Sequence, residues 1–357
     1  MPSLFDPITV GALRLPNRII MSPLTRSRAT EDTRVPVPLM AEYYAQRATT
    51  GLIISEATIV DPMGAGYAAT PGIYSDEQVE GWKLVTKAVH DAGGRIFLQL
   101  WHVGRISDPS FLNGKPPVSA SAIAAKGNVS LLRPPRPFPV PRALETDEIL
   151  GVIATFRKGA ENAKAAGFDG VEIHGANGYL LDQFLQDSTN QRTDAYGGTR
   201  EKRVRLMLEV TDAVAEVWGA DRVGMHLAPR GDAHDMGDTD RLGTFTYVAR
   251  ELGKRHIAFI CAREARREDS IGPQMKEAFG GVYIANEGFT KETAETALAD
   301  GVADAVAFGK LIIANPDLVA RFSSNAPLND WDMPTFYSGG PKGYVDYPAL
   351  SQTTVGA

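Results

Sequence analysis

The sequence predicts a (β/α)8 barrel in which residues 1–357 form a single domain, and three observations predict it. Short apolar runs recur eight times along the chain. Amphipathic, helix-spaced stretches separate them, the alternation that builds a parallel sheet. No linker and no second apolar cluster interrupts the series, and 357 residues is long for one domain but ordinary for a barrel carrying insertions.

The elements follow in order. Ile8-Thr9-Val10-Gly11-Ala12-Leu13-Arg14-Leu15 reads as a β-hairpin turning at glycine, placed to cap the N-terminal end of the barrel. The first four strand runs are Ile19-Ile20-Met21, Leu52-Ile53-Ile54, Ile96 to Leu100 and Val171 to His174. The next four are Val223 to Leu227, Ile257 to Ile260, Val282 to Ile284 and Ala305 to Phe308. Among the helices the clearest carries Ile149, Val152, Ile153, Phe156, Ala160 and Ala163 on one face. Thr146 is its expected N-cap, with Asp147 and Glu148 in the first turn. After the third strand, residues 106–145 hold Pro116, Pro117, Pro134, Pro135, Pro137, Pro139 and Pro141. This predicts a long loop over the C-terminal face, serving as a lid or substrate-access wall.

Composition removes several classes of function. A formal charge of −6 and the absence of any sustained Lys/Arg run argue against a nucleic-acid partner. Arg263 to Arg267 is locally basic, but Glu264 and Glu268 dilute it, and it reads as the solvated start of a helix. The one cysteine, Cys261, allows no intramolecular disulfide, structural zinc site or iron–sulfur cluster, and its apolar neighbours predict a buried thiol in a strand. No apolar run approaches the ~20 residues of a membrane span, and Met1 to Asp6 carries no secretory pattern, so a cytoplasmic location is expected.

The fourth strand runs straight into chemistry. Gly170-Val171-Glu172-Ile173-His174-Gly175-Ala176-Asn177-Gly178-Tyr179 places two neutral hydrogen-bond donors and a phenol where a strand ends. In a parallel α/β fold that is where ligands bind. The set suits holding a carbonyl-type oxygen while a proton is delivered nearby. At the ends of the seventh and eighth strands, Asn286 and Gly288, then Gly309 and Lys310, form loops of the kind that grip a phosphate. Thr25, Ala57 and Gln99 end the first three strands, suited to the rim of a flat heterocycle. His226, Asp232, His234, Asp235 and Asp238 offer mixed imidazole and carboxylate ligands, so a metal-dependent hydrolase is a second reading, although their spacing matches no metal motif.

These residues form a pattern that resembles the Old Yellow Enzyme family of FMN-dependent ene-reductases, which includes the N-ethylmaleimide reductases. The resemblance runs from Leu4-Phe5-Asp6-Pro7 through Ser22-Pro23-Leu24-Thr25-Arg26, Gln99-Leu100-Trp101-His102 and His174-Gly175-Ala176-Asn177-Gly178-Tyr179 to Gly343-Tyr344-Val345-Asp346-Tyr347-Pro348. It implies a bound FMN, reduced by NADPH or NADH, and small electron-poor alkenes as substrates. It gives His174 and Asn177 the activating oxygen of the substrate, and Tyr179 the role of proton donor. Pro23, Leu24, Thr25, Ala57, Gln99, His226, Asn286, Gly288, Gly309 and Lys310 then hold the flavin. Tyr67, Trp101 and Tyr337 line the substrate face. A flavin-binding redox sensor without turnover is a third reading. Two residues depart from the family pattern. His226 stands where many relatives have an arginine near flavin N1, a charge that His226 or Arg230 would have to replace, and Lys310 stands where arginine often meets the phosphate.

Overall fold

The computed structural model describes residues 1–130, 132–230 and 233–350. Eight parallel strands close on themselves. They are β1 (Ile19–Met21), β2 (Leu52–Ile54), β3 (Ile96–Trp101), β4 (Gly170–His174), β5 (Val223–Leu227), β6 (Phe259–Arg263), β7 (Val282–Asn286) and β8 (Ala305–Phe308). Each pairs with the next, and β8 pairs back onto β1, with Ala307 opposite Ile20. Closure removes both edges of this sheet, so none of the eight barrel strands is left with a free row of hydrogen-bonding groups. Buried on both faces, the strands are nearly continuous apolar runs rather than alternating ones.

The N-terminal hairpin pairs Ile8–Val10 with Leu13–Leu15. Its Val10 and Leu15 pack with Ile20, Ile54, Phe97, Phe259 and Ile284 in one cluster that seals the barrel floor. Gly11 has φ +54° and approaches so closely that a Cβ would stand 1.9 Å from the Asp221 carbonyl oxygen. Helices α1 (Pro38–Ala45), α2 (Asp76–Asp91) and α3 (Thr146–Ala165) bury their apolar stripes against the outer faces of the strands. The later units continue this layer. No helix among the described residues is long and apolar enough to cross a membrane.

Two boundaries differ from the sequence expectation. The first residue of α3 is Thr146, and its cap is Glu145, whose N–H donates to Glu148 at 2.7 Å. The Thr146 hydroxyl bonds Asp194 instead. The sixth strand lies further along than its apolar run. Pairing begins at Phe259 and extends through Cys261 and Ala262 to Arg263, which is level with Asn286 of β7. Arg263 is therefore a strand-end residue, not the start of a helix.

The proline-rich segment after β3 is held in place at several points. Val118–Ser119 pairs with Arg142–Ala143, and Val129 and Phe138 join Trp101 and Val103 in an apolar cluster. Arg105 donates to the carbonyls of Ile123 and His234, tying this segment to the loop after β5. It forms a packed wall beside the strand ends.

Candidate active site

The C-terminal ends of the strands surround a cavity of about 670 Å³, within the roughly 300–1,000 Å³ typical of small-molecule and cofactor sites. Every residue that the sequence assigned to hold the flavin or the substrate lines it, except Tyr67. Tyr67 stands one layer behind, with its phenol oxygen 3.0 Å from that of Tyr179.

The turn after β4 is rigid for local reasons. Asn177 has φ +58°, a left-handed conformation that asparagine tolerates better than most residues, and Gly178 follows at φ +77°. A Cβ on Gly178 would lie 2.8 Å from His234 Cβ and Met236 Cγ. The buried Asp182 carboxylate accepts the Gly178 N–H at 2.8 Å.

This turn determines what each side chain offers. His174 Nδ1 accepts the Ala176 N–H at 3.3 Å, so the neutral ring carries its proton on Nε2. Burial, helped by the nearby His226, Arg263 and His234, holds His174 well below the usual histidine range. It is a neutral donor rather than a cation at pH 7. Asn177 Oδ1 accepts from Arg263 Nη1 at 2.9 Å, and its main-chain carbonyl accepts from His234 Nδ1 at 2.6 Å. Burial, then the neighbouring Tyr67, pushes the Tyr179 phenol well above its ordinary value. Its ring is set edge-on to Trp101 and His174, with centroids 5.0 and 4.9 Å away.

The remaining rim suits FMN. Gln99 Nε2 donates to Glu172 at 2.7 Å, which leaves the Gln99 amide oxygen as acceptor for an imide N–H. Glu172 also faces His226 Nδ1 at 3.4 Å. Pro23, Leu24 and Thr25 after β1 and Ala57 after β2 contribute to the wall. The loop after β1 is tied to β7 because Asn286 Nδ2 donates to Ser22 Oγ at 3.0 Å. At Gly309 a Cβ would stand 2.8 Å from Leu24 Cδ1, so a larger residue there would push the end of the Leu24 side chain aside. Gly288 has φ +74°, and Lys310 adds a cation beside Gly309. Tyr337 arrives on the C-terminal segment, which Arg26 and Arg28 hold through the Phe336 and Gly343 carbonyls.

The residues that suggested a metal do not converge. Asp232 lies outside the described residues. His234 bonds Asn177, Asp235 pairs with Lys126, and Asp238 pairs with Arg203. Arg230, the alternative to His226, is engaged by Asp269 and Glu264 and does not line the cavity. Arg263 does line it, with Glu287 beside it. Sequence reasoning missed both. The apolar run continues through Cys261 and Ala262, and following it two residues further would have placed Arg263 at a strand end.

Comparison with known proteins agrees with this geometry. Residues 3–329 match the NADH:flavin oxidoreductase / NADH oxidase family. The chain is 45% identical to 12-oxophytodienoate reductase 1 of Oryza sativa subsp. japonica, covering 98% of this chain and 93% of that protein. It is 44% identical to a probable flavin mononucleotide-dependent alkene reductase of Leishmania infantum, covering 97% of each. Among solved structures, the old yellow enzyme homologue from Zymomonas mobilis superposes with TM-score 0.95 at 46% identity, covering 98% of this chain and 100% of the other. Morphinone reductase in complex with tetrahydroNAD gives TM-score 0.95 at 47% identity over the whole of both chains. The chain belongs to the NADH:flavin oxidoreductase / NADH oxidase family and is an FMN-dependent ene-reductase of the Old Yellow Enzyme type.

Proposed function

We infer that the enzyme reduces activated C=C bonds of enones, enals, maleimides and nitroalkenes, consuming NADPH or NADH. The observation that carries this reading is the trio after β4: His174 Nε2–H and the Asn177 amide offer two neutral donors, and the Tyr179 phenol sits at the same cavity wall. When bound and reduced, FMN is the source of hydride for the β-carbon of the alkene.

The chain's own residues do the rest. His174 and Asn177 hold the carbonyl or nitro oxygen. As negative charge grows on that oxygen their hydrogen bonds strengthen, so they stabilise the transition state more than the bound substrate. Because His174 is neutral, it can polarise the oxygen without becoming a competing proton source. Tyr179 Oη then gives its proton to the α-carbon, which a phenol kept fully protonated at pH 7 is able to do. Trp101, Tyr67 and Tyr337 shape the substrate face, and the packed segment after β3 limits access of water. Residues 1–357 act as one domain. With one cysteine and no disulfide to maintain, the chain suits the cytoplasm.

The test is direct. The purified protein should be yellow, bleach anaerobically with NADPH or NADH, and recolour on adding 2-cyclohexenone or N-ethylmaleimide. Bleaching without recolouring by any of the four alkene classes would reject the reading.

A further inference from the structure

We propose that Arg263 is the positioning residue that turns the Asn177 amide into a hydrogen-bond donor toward substrate. The proposal rests on the functional reading above and adds to it a residue on a different strand. A carboxamide has two faces, and only its NH2 can serve a growing oxyanion. Nothing intrinsic to asparagine selects that face. An arginine selects it, because guanidinium has five donors and no acceptor. Asn177 Oδ1 therefore must be the atom that meets Arg263 Nη1 at 2.9 Å, and Nδ2 is left for the cavity.

Arg263 is itself held. Glu287, at the end of β7, pairs with its Nε and also accepts from Nη2 at 3.3 Å. Glu287 does so from φ +102°, a conformation that residues with a Cβ rarely adopt, followed by Gly288 at φ +74°. The turn thus carries backbone strain where the Glu287 carboxylate meets Arg263. Asn177 is fixed from the other side by His234 Nδ1 on its main-chain carbonyl. Asn177 is held at two points, its side-chain oxygen by Arg263 at the end of β6 and its main-chain carbonyl by His234 in the loop after β5, and its amide nitrogen has no protein acceptor among the described residues. The guanidinium charge also draws electron density from Oδ1, making the Nδ2 hydrogens stronger donors.

The experiment compares holoenzyme carrying Arg263→Met, Arg263→Lys, Asn177→Ala, Arg263→Met with Asn177→Ala, and Arg263→Met with Glu287→Gln. Two readouts are taken. One is phenol binding to the oxidised enzyme, followed by long-wavelength absorbance. The other is anaerobic reoxidation by 2-cyclohexenone after dithionite reduction, which bypasses NAD(P)H. Arg263→Met should weaken phenol binding and slow reoxidation by about tenfold, the scale of one charge-assisted hydrogen bond, with FMN content retained. Asn177→Ala should lose as much, and the Arg263→Met, Asn177→Ala double variant no more than Asn177→Ala alone. Arg263→Lys should recover part of the loss. Adding Glu287→Gln to Arg263→Met should not recover it, since the amide stays unpinned. Wild-type behaviour in Arg263→Met, multiplying losses in the double variant with Asn177→Ala, or recovery on adding Glu287→Gln would each overturn the proposal. The last would assign the effect to an unpaired carboxylate. If wild-type enzyme binds phenol but is not reoxidised by cyclohexenone, the alkene reading fails while the phenol series still decides the role of Arg263.

Discussion

The phenolic oxygens of Tyr67 and Tyr179 lie 3.0 Å apart, and Tyr67 Oη is 3.5 Å from His234 Nε2. Tyr179, the proposed proton donor, is therefore one end of a polar row rather than an isolated phenol. Burial raises both tyrosines, Tyr67 to about 12 and Tyr179 well above its ordinary value. Both remain protonated across the physiological range.

Tyr179→Phe removes the transferable proton while keeping the ring that packs on Trp101 and His174. General-acid catalysis of this kind contributes roughly 10²–10⁴-fold. The rate of reoxidation by cyclohexenone should fall by about that factor, with anaerobic flavin reduction by NAD(P)H largely unchanged. Stopped-flow absorbance resolves the two half-reactions. Equal slowing of both would show that the substitution disturbs the cavity rather than the proton.

Tyr67→Phe tests the neighbour. If Tyr179 gives up its proton as proposed, its oxygen becomes an anion, and the Tyr67 hydroxyl, 3.0 Å away, is placed to donate a hydrogen bond to it. A hydrogen bond to a charged group is worth about 1.5–3 kcal/mol, so reoxidation should slow by roughly 10- to 100-fold. In the Tyr179→Phe background the second change should have little further effect, because no phenolate forms. A full multiplicative loss in the double variant would place Tyr67 outside proton delivery.

The barrel and most of the rim are legible in the chain because they are local facts. An apolar run that ends in His174 or Asn286 announces both a strand and its functional tip. The position of Arg263 is not local. Ile257 and Ala258 look as strand-like as Cys261 and Ala262, and only pairing with Val282–Asn286 decides which of them lie in the sheet. The roles of Glu172 and Glu287 are hidden for the same reason. Glu172 appears as one polar residue in a strand, yet it links Gln99 to His226 across three strands. The contacts that orient a side chain come from residues distant in sequence, and no spacing rule encodes them.

His226 faces the cavity from β5 and rests against Glu172, whereas Arg230 is turned to Asp269. If His226 carries the electrostatic duty near the flavin, His226→Ala should lower the FMN midpoint potential and His226→Arg should raise it. For a two-electron couple about 30 mV corresponds to 1.4 kcal/mol, so shifts of this size are readable by dye-coupled redox titration. Midpoint potentials unchanged from pH 6 to 9 in His226→Ala would remove His226 from that role.

Two buried carboxyls, Glu56 and Asp182, are raised toward neutrality, and Asp182 is the one bonded to the turn after β4. His174 stays neutral until well below the usual histidine range, and Tyr179 stays protonated until well above the usual tyrosine range, so neither titrates between pH 6 and 9. Asp182, which holds the Gly178 N–H, is raised by burial to about 7. Its carboxyl is therefore more protonated in the folded chain than in the unfolded chain between about pH 4 and 7. With fewer protons bound in the unfolded state across that window, the stability it contributes is greatest in acid and is lost as pH rises through 7. Asp182→Asn cannot ionise and lacks this dependence. Thermal unfolding of the holoenzyme at pH 5 and pH 8 should show a smaller drop in Tm for Asp182→Asn than for wild type. Any inflection near pH 7 in the reoxidation rate should vanish with it, and an inflection that survives in Asp182→Asn would show that Asp182 is not its source.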